Sequence, residues 1–357
     1  MQGILRLYVF VGIFVLLLWS TVGAVERYAY QATNDAIIVY NWGDYIDPDL
    51  ISKFEEETGI RVIYQTFDSN EAMLAKIAQG GTPYDVAVPS EYAVSRMIAE
   101  DLLIPLDMKA IPNLKHIDPR FLNQSFDPHN RYSVPYFWGT VGIVYNKDVL
   151  GEGAITRWED LWDASYRNSI LLVDGAREIM GMALNSLGYS LNDTEVEHLL
   201  EAKAKLDELT PNVRAIVGDE IKFLLETDEA TIGVVWSGDA AEIMSENEAF
   251  DYVIPEEGTN LWFDNFVIPK TARNVAGAHA FINFMLDAEN AAMNAEYVGY
   301  ATPNLAAHTY LPEYVTNDRR FYPDEVTQAK LEVYRDLGKV MLGRYNELFL
   351  EFKMHRK

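Results

Sequence analysis

Large aromatic rings and bare carboxylates recur side by side along this sequence. In "VYNWGDYIDPD", Val39 to Asp49, an apolar run stops and Trp42 and Tyr45 crowd together with Asp44, Asp47 and Asp49. "ATIGVVWSGDAAEIM" sets Trp236 beside Ser237 and Asp239, and "NLWFDNFVIP" sets Trp262 two residues before Asp264. "SILLVDGARE" supplies Asp174 and Glu178, the stretch after "DVAVP" supplies Ser90 and Tyr92, and "YVGYATPN" supplies Tyr300. These residue types suit an organic polycation. An ammonium over an aromatic face gains about 2 kcal/mol when desolvated. A charged hydrogen bond to a carboxylate contributes about 1.5–3 kcal/mol. Carboxylates would read the charges, and rings would line the methylenes between them. A few of each, less the cost of association, support micromolar affinity, about −8 kcal/mol.

Each residue also has a plainer use. A tryptophan at a strand end more often packs against a core than serves as a platform. Asp47 reads as a helix cap, Asp44 and Asp49 as solvated, and Glu55–Glu57 as a wet helix face. Glu178 could merely complement a helix N-terminus, and Tyr300 could be turn packing. What lifts the binding reading is recurrence at strand ends. Catalytic patterns are missing from the sequence: its six histidines show no HExxH spacing, and no GxSxG or P-loop occurs. The run Asp44, Asp47, Asp49 lacks the glycine and terminal glutamate of a calcium loop. No cofactor or metal is expected. A glycosidase, which uses paired carboxylates beside aromatics, is the enzyme alternative.

The elements that must position these residues alternate between strand and helix from residue 36 onward. "IIVYN" is β-rich. Asp47 and Pro48 open a helix with apolar Leu50, Ile51 and Phe54, ending at Gly59. "IRVIYQTF" is the next strand, and Asp68 with Glu71 resembles a capping box opening a helix to Gly80. "YDVAVPS" is a third strand, and 91–100 a third helix. This alternation predicts a mainly parallel sheet covered on both faces, with its ligand crevice beyond the carboxyl ends of the strands. No linker separates two domains, so strands are expected to cross between them. "FWGTVGIVYN", Phe137 to Asn146, is the first candidate, and "WFDNFVIPK", Trp262 to Lys270, the return.

Composition bounds the reading further. The 357 residues suit two domains, and 29 basic against 54 acidic side chains give a net charge of −25. That balance argues against nucleic acid and suits a cationic partner. Leu7 to Val25 is almost wholly apolar, preceded by Arg6, and Val22-Gly23-Ala24 passes as a cleavage site. It is expected to be a signal peptide or an uncleaved signal anchor, residues 1–25, preceding an exported chain. No later segment is a membrane-span candidate. Cysteine is absent, which excludes disulfides, thiolate zinc and a lipidated cysteine.

The sequence from about residue 36 onward closely resembles the polyamine (spermidine/putrescine)-binding proteins of ABC importers. The segments that carry the likeness include "YNWGDYI", "YDVAVPS-Y", "FDPHNRYSVPYFWGTVGIVYN", "WEDLWDASYRNSILLVDGARE", "LWFDNFVIPK", "NAEYVGYATPNLAA" and "FYPD". The resemblance implies a two-lobe α/β clamp of the periplasmic-binding-protein kind. Lobe 1 would be residues 36–143 and 264–308, and lobe 2 residues 144–263 and 309–357. It also implies ligand contacts at Trp42, Tyr45, Ser90, Tyr92, Glu178, Trp236, Trp262, Asp264 and Tyr300. Three positions depart from the family pattern. Gly43 stands where a hydroxyl residue is usual. Gly175 stands where an aspartate can precede Ala-Arg-Glu, which leaves Asp174 one residue early. Tyr334 stands in place of a glutamine, with Glu332 two residues before it. Asp174, Glu332 and Tyr334 therefore join the candidate set.

The expected protein is a non-catalytic receptor that captures a polyamine between its lobes and delivers it to ABC-importer permease subunits. It would sit at the outer face of the cytoplasmic membrane if anchored, or in the periplasm if cleaved after Ala24. The alternatives are a receptor for another small cation or metabolite, and a secreted hydrolase acting on aminated glycans.

Overall fold

The computed structural model describes residues 36–218 and 220–355, and the expected N-terminal signal or anchor helix, residues 1–25, lies outside them. The strands are β1 (Ala36–Trp42), β2 (Arg61–Phe67), β3 (Val86–Ala87), β4 (Ser133–Asn146), β5 (Ile170–Val173), β6 (Val213–Val217), β7 (Ile232–Trp236), β8 (Phe250–Val253) and β9 (Leu261–Val267). The longer helices are α1 (Pro48–Thr58), α2 (Asn70–Gln79), α3 (Glu91–Ala99), α4 (Ala176–Ser186), α5 (Val196–Leu209), α6 (Ser237–Glu246), α7 (Val275–Met285), α8 (Ala288–Val298) and α9 (Gly338–His355).

The run "IIVY" is apolar throughout because β1 is buried on both faces. Ile37 and Val39 enter one core, while Ile38 and Tyr40 enter another with Met73, Ile77 and Met97 of α2 and α3. α7 packs on β1 from the first side. Local signals set the helix ends. Asp47 caps α1 by accepting from Asp49 N at 2.9 Å, and Gly59 closes it at φ 73°. The second cap differs from expectation. Ser69, not Asp68, caps α2, its Oγ accepting from Ala72 N at 3.2 Å, because the strand runs on to Phe67 and delays the turn. Within the glutamate run, Glu55 is not simply wet, since its Oε1 accepts from Val62 N at the start of β2.

The strands form one curled sheet in the order β2-β1-β3-β9-β4-β7-β5-β6, with β8 also on β4. β1–β2, β1–β3, β5–β6 and β5–β7 are parallel, whereas β3–β9, β9–β4, β4–β7 and β4–β8 are antiparallel. The mainly parallel sheet expected above is therefore a mixed one. Its middle is antiparallel because long strands, not βαβ crossovers, join the two parallel sets. β4 changes partners along its length. Ser133–Thr140 pairs with β9, and Val141–Asn146 pairs with β7 and β8. β9 pairs wholly with the first part of β4, so the chain returns through residues 254–260. α9 packs against α4 and α5 beside the second parallel set. Among the described residues no helix is long and apolar enough to cross a membrane.

Candidate functional site

The carboxyl ends of β1, β3 and β7 and the middle of β9 bring the expected residues together. Strand alternation puts Trp262 and Asp264 on one face of β9. Asp264 is buried, and each of its oxygens is held by a hydroxyl. Tyr45 donates to Oδ2 at 2.7 Å and Ser90 Oγ donates to Oδ1 at 2.6 Å. Tyr45 arrives from the turn after β1, and Ser90 is the residue that opens α3. A register irregularity in β4 between Pro135 and Phe137 falls beside Asp264, which pairs with Phe137. Burial pushes the Asp264 carboxyl up to about 6, against the pull of the Ser90 and Tyr45 hydrogen bonds. Among the described residues no basic side chain bonds to it. What the site holds there is a preoriented anion without a cation.

Aromatic rings surround this anion. Tyr300 stands edge-on to Trp262, with centroids 5.1 Å apart, and to Tyr45 at 5.5 Å. Its hydroxyl donates to Asp239 Oδ1 of α6 at 3.4 Å, linking the two parallel sets. Glycines permit this packing. A Cβ on Gly139 would come within 2.5 Å of both Ser237 Oγ and the Trp262 ring, and one on Gly238 would strike the Tyr300 ring. Trp236 is half-buried at the carboxyl end of β7, one residue before Ser237. Trp42 is half-buried at the end of β1, its ring tilted against Phe67 at 4.5 Å.

A second anion comes from α4. Gly175 caps that helix without a side chain, and the Glu178 carboxylate folds back over it at the helix N-terminus. Burial raises the Glu178 carboxyl, the Glu178 backbone N–H and Arg177 lower it, and Glu71 raises it. Glu178 lies close enough to Tyr92 and Tyr334 to raise both phenols, which burial lifts first. Tyr92 belongs to α3 and Tyr334 to the segment before α9, and their rings meet edge-on at 6.5 Å. One face of Tyr334 is taken by the Arg177 guanidinium, 4.2 Å from the ring centroid.

Two candidates stand apart from this group. Asp174 is exposed and paired with Lys353 Nζ of α9, both oxygens at 2.7 Å. It lies one residue before the Gly175 cap, and Lys353 takes its carboxylate. Glu332 is bonded to Ser190 Oγ and accepts from Leu191 N at 3.1 Å, so its carboxylate ties two loops. Asn70, which is not among the sequence candidates, also joins the group. Asn70 donates to Ser90 Oγ and to the Tyr92 hydroxyl, both at 3.0 Å, and accepts from Ser90 N at 3.1 Å. It follows β2 just as Ser90 follows β3, and position at a strand end was its only signal.

Comparison with known proteins gives the family. The family model described as bacterial extracellular solute-binding protein matches residues 49–321. The spermidine/putrescine-binding periplasmic protein of Salmonella typhimurium is 41% identical over 92% of this chain and 94% of its own. A solved structure from Listeria monocytogenes is 63% identical, with a TM-score of 0.86, covering 90% of this chain and 100% of that one. The spermidine/putrescine ABC transporter substrate-binding protein PotD of Streptococcus pneumoniae is 56% identical, with a TM-score of 0.82 over the same shares. A buried, uncompensated anion ringed by aromatics on an α/β sheet thus meets relatives named for cationic ligands, and the chain belongs to the bacterial extracellular solute-binding protein family.

Proposed function

We propose that this protein is an extracytoplasmic receptor that captures a polyamine, spermidine or putrescine, and hands it to the permease of an ABC importer. The observation that carries this is Asp264. A carboxylate so buried, held by two hydroxyls and lined by Trp262 and Tyr300, is built to receive an ammonium group. Glu178, across from Tyr92, supplies a second anion for a second amine, with Trp42 and Trp236 flanking the chain between. The names of the relatives above support the same ligand class and the same transport role. The hydrolase alternative has no support among them.

In this reading the two parallel sets are lobes of a clamp, hinged where β4 changes partners at Thr140–Val141 and where 254–260 returns. Ligand contacts drawn from both lobes favour the closed form. Cleavage after Ala24 would leave the receptor free in a periplasm, and retention of Leu7–Val25 would anchor it. Intact mass of the protein from its native host distinguishes the two. The ligand assignment is tested by a thermal-shift panel of putrescine, spermidine, spermine and sugars. Stabilisation by polyamines alone is expected, and stabilisation by a sugar with none by a polyamine overturns the assignment.

A further inference from the structure

Another carboxylate adjoins the site. Glu91 is the first residue of α3, between Ser90 and Tyr92, and it is fully buried. The edge of the sheet explains its place. β9 pairs with β4 on one side, but on the other β3 reaches it only at Val267. The remaining backbone N–H groups on that edge need acceptors. Asn265 N donates to Pro89 O, Phe263 N donates to Glu91 Oε2 at 2.9 Å, and Leu261 N donates to Glu332 O. The Glu91 side chain thus stands in for a missing strand residue, next to Trp262 and Asp264.

One oxygen is thereby committed. The other, Oε1, is buried and has no hydrogen-bond partner among the described residues. A buried acceptor left unmade is costly, so it needs a proton or a donor. The charged and titratable groups around it are Asp264 on β9, Arg177 on α4, Tyr92 on its own helix and Tyr334 before α9. Arg177 does not neutralise it by contact. That guanidinium lies over Tyr334 and donates to Asn192 Oδ1 at 3.0 Å and to Arg335 O at 3.3 Å.

We infer that Glu91 is a third ligand carboxylate of the polyamine site, its free oxygen receiving an ammonium group and favouring a triamine over a diamine. The inference rests on the polyamine reading above. Burial pushes the Glu91 carboxyl up to about 8, with the Phe263 N–H and its own backbone N–H lowering it, Asp264 raising it and Arg177 lowering it. In the empty site near pH 7 the group is therefore protonated. On capture its O–H bond breaks, the proton goes to solvent, and the carboxylate pairs with the incoming ammonium, so charge balances. Affinity for spermidine rises with pH up to about 8 as that proton is lost more readily.

Calorimetry on the purified full chain tests this. Titrating spermidine at pH 7 in two buffers of different ionisation enthalpy should show about one proton released per ligand. Glu91→Gln keeps an acceptor for Phe263 N–H and removes the charge. It should remove most of that release and, at pH 8.5, weaken spermidine by about tenfold or more, with putrescine affected less. The gap between variant and unaltered protein should narrow toward pH 6.5. Spermidine binding by the unaltered protein without proton release overturns the inference, whatever the variant does. So does a Glu91→Gln protein with unchanged affinity and release. If the unaltered protein binds no polyamine, the parent reading falls and this one with it.

Discussion

Replacing Asp264 by asparagine separates a binding carboxylate from a structural one. Burial lifts the Asp264 carboxyl from 3.8 to about 6. A rise of roughly two units corresponds to about 3 kcal/mol that opposes folding once the group ionises. The folded value lies above the unfolded one. The group's contribution to stability is therefore fully present below about pH 4 and lost as pH rises through about 6. Asparagine has no such proton. The ligand-free variant should be at least as stable as the unaltered protein at pH 7, and should lack its decline between pH 4 and 6. Its amide oxygen can still accept from Tyr45, and its NH2 can donate to Ser90 Oγ. Binding should respond in the opposite direction. An ammonium deprived of its desolvated partner loses about 2 kcal/mol or more, roughly thirtyfold in Kd. Because a cation favours the ionised form, affinity of the unaltered protein should also fall as pH drops through about 6. Urea midpoints and calorimetric titrations at pH 5 and 7 measure both effects. A folded variant with unchanged spermidine affinity refutes the reasoning. So does a variant that loses several kcal/mol of stability at pH 7, which would make the carboxylate a structural anchor.

Two further substitutions probe the rest of the site. Gly175→Ala places a methyl against the Glu178 carboxylate, whose flexible end must swing away; spermidine affinity should drop severalfold in calorimetry while the melting temperature holds. Trp262→Ala removes a ring that is only 8% exposed, so it should cost about 3–5 kcal/mol of stability as well as affinity, whereas half-buried Trp236→Ala should lower affinity with a smaller shift in the urea midpoint.

Much of the site was legible in the sequence because one rule, side chains at the carboxyl ends of strands, picks out residues without needing their partners. Tyr45, Ser90 and Tyr92 follow it, and the two-residue spacing of Trp262 and Asp264 fixes their common face. Helix phase was legible as well. Asp47 and Gly59 bracket α1 through their own backbone chemistry. The losses came where a long-range partner decides. Asp174 and Glu178 both follow β5, and nothing local says that Lys353 claims the first while the second turns back over a glycine cap. Glu332 sits beside Tyr334 in the chain, yet Ser190 and Leu191 take its carboxylate.

Glu91 is the sharpest case. Between two residues already singled out, it looks like any acidic residue in the first turn of a helix, and such residues are ordinarily solvated. Its burial follows from where β3 stops, which leaves Phe263 N–H without a strand partner. The Glu91 side chain meets that shortfall, its Oε2 accepting from Phe263 N–H at the sheet edge. Sheet register, which no local pattern in α3 encodes, thus decides whether a surface-type residue becomes a buried acid beside Asp264.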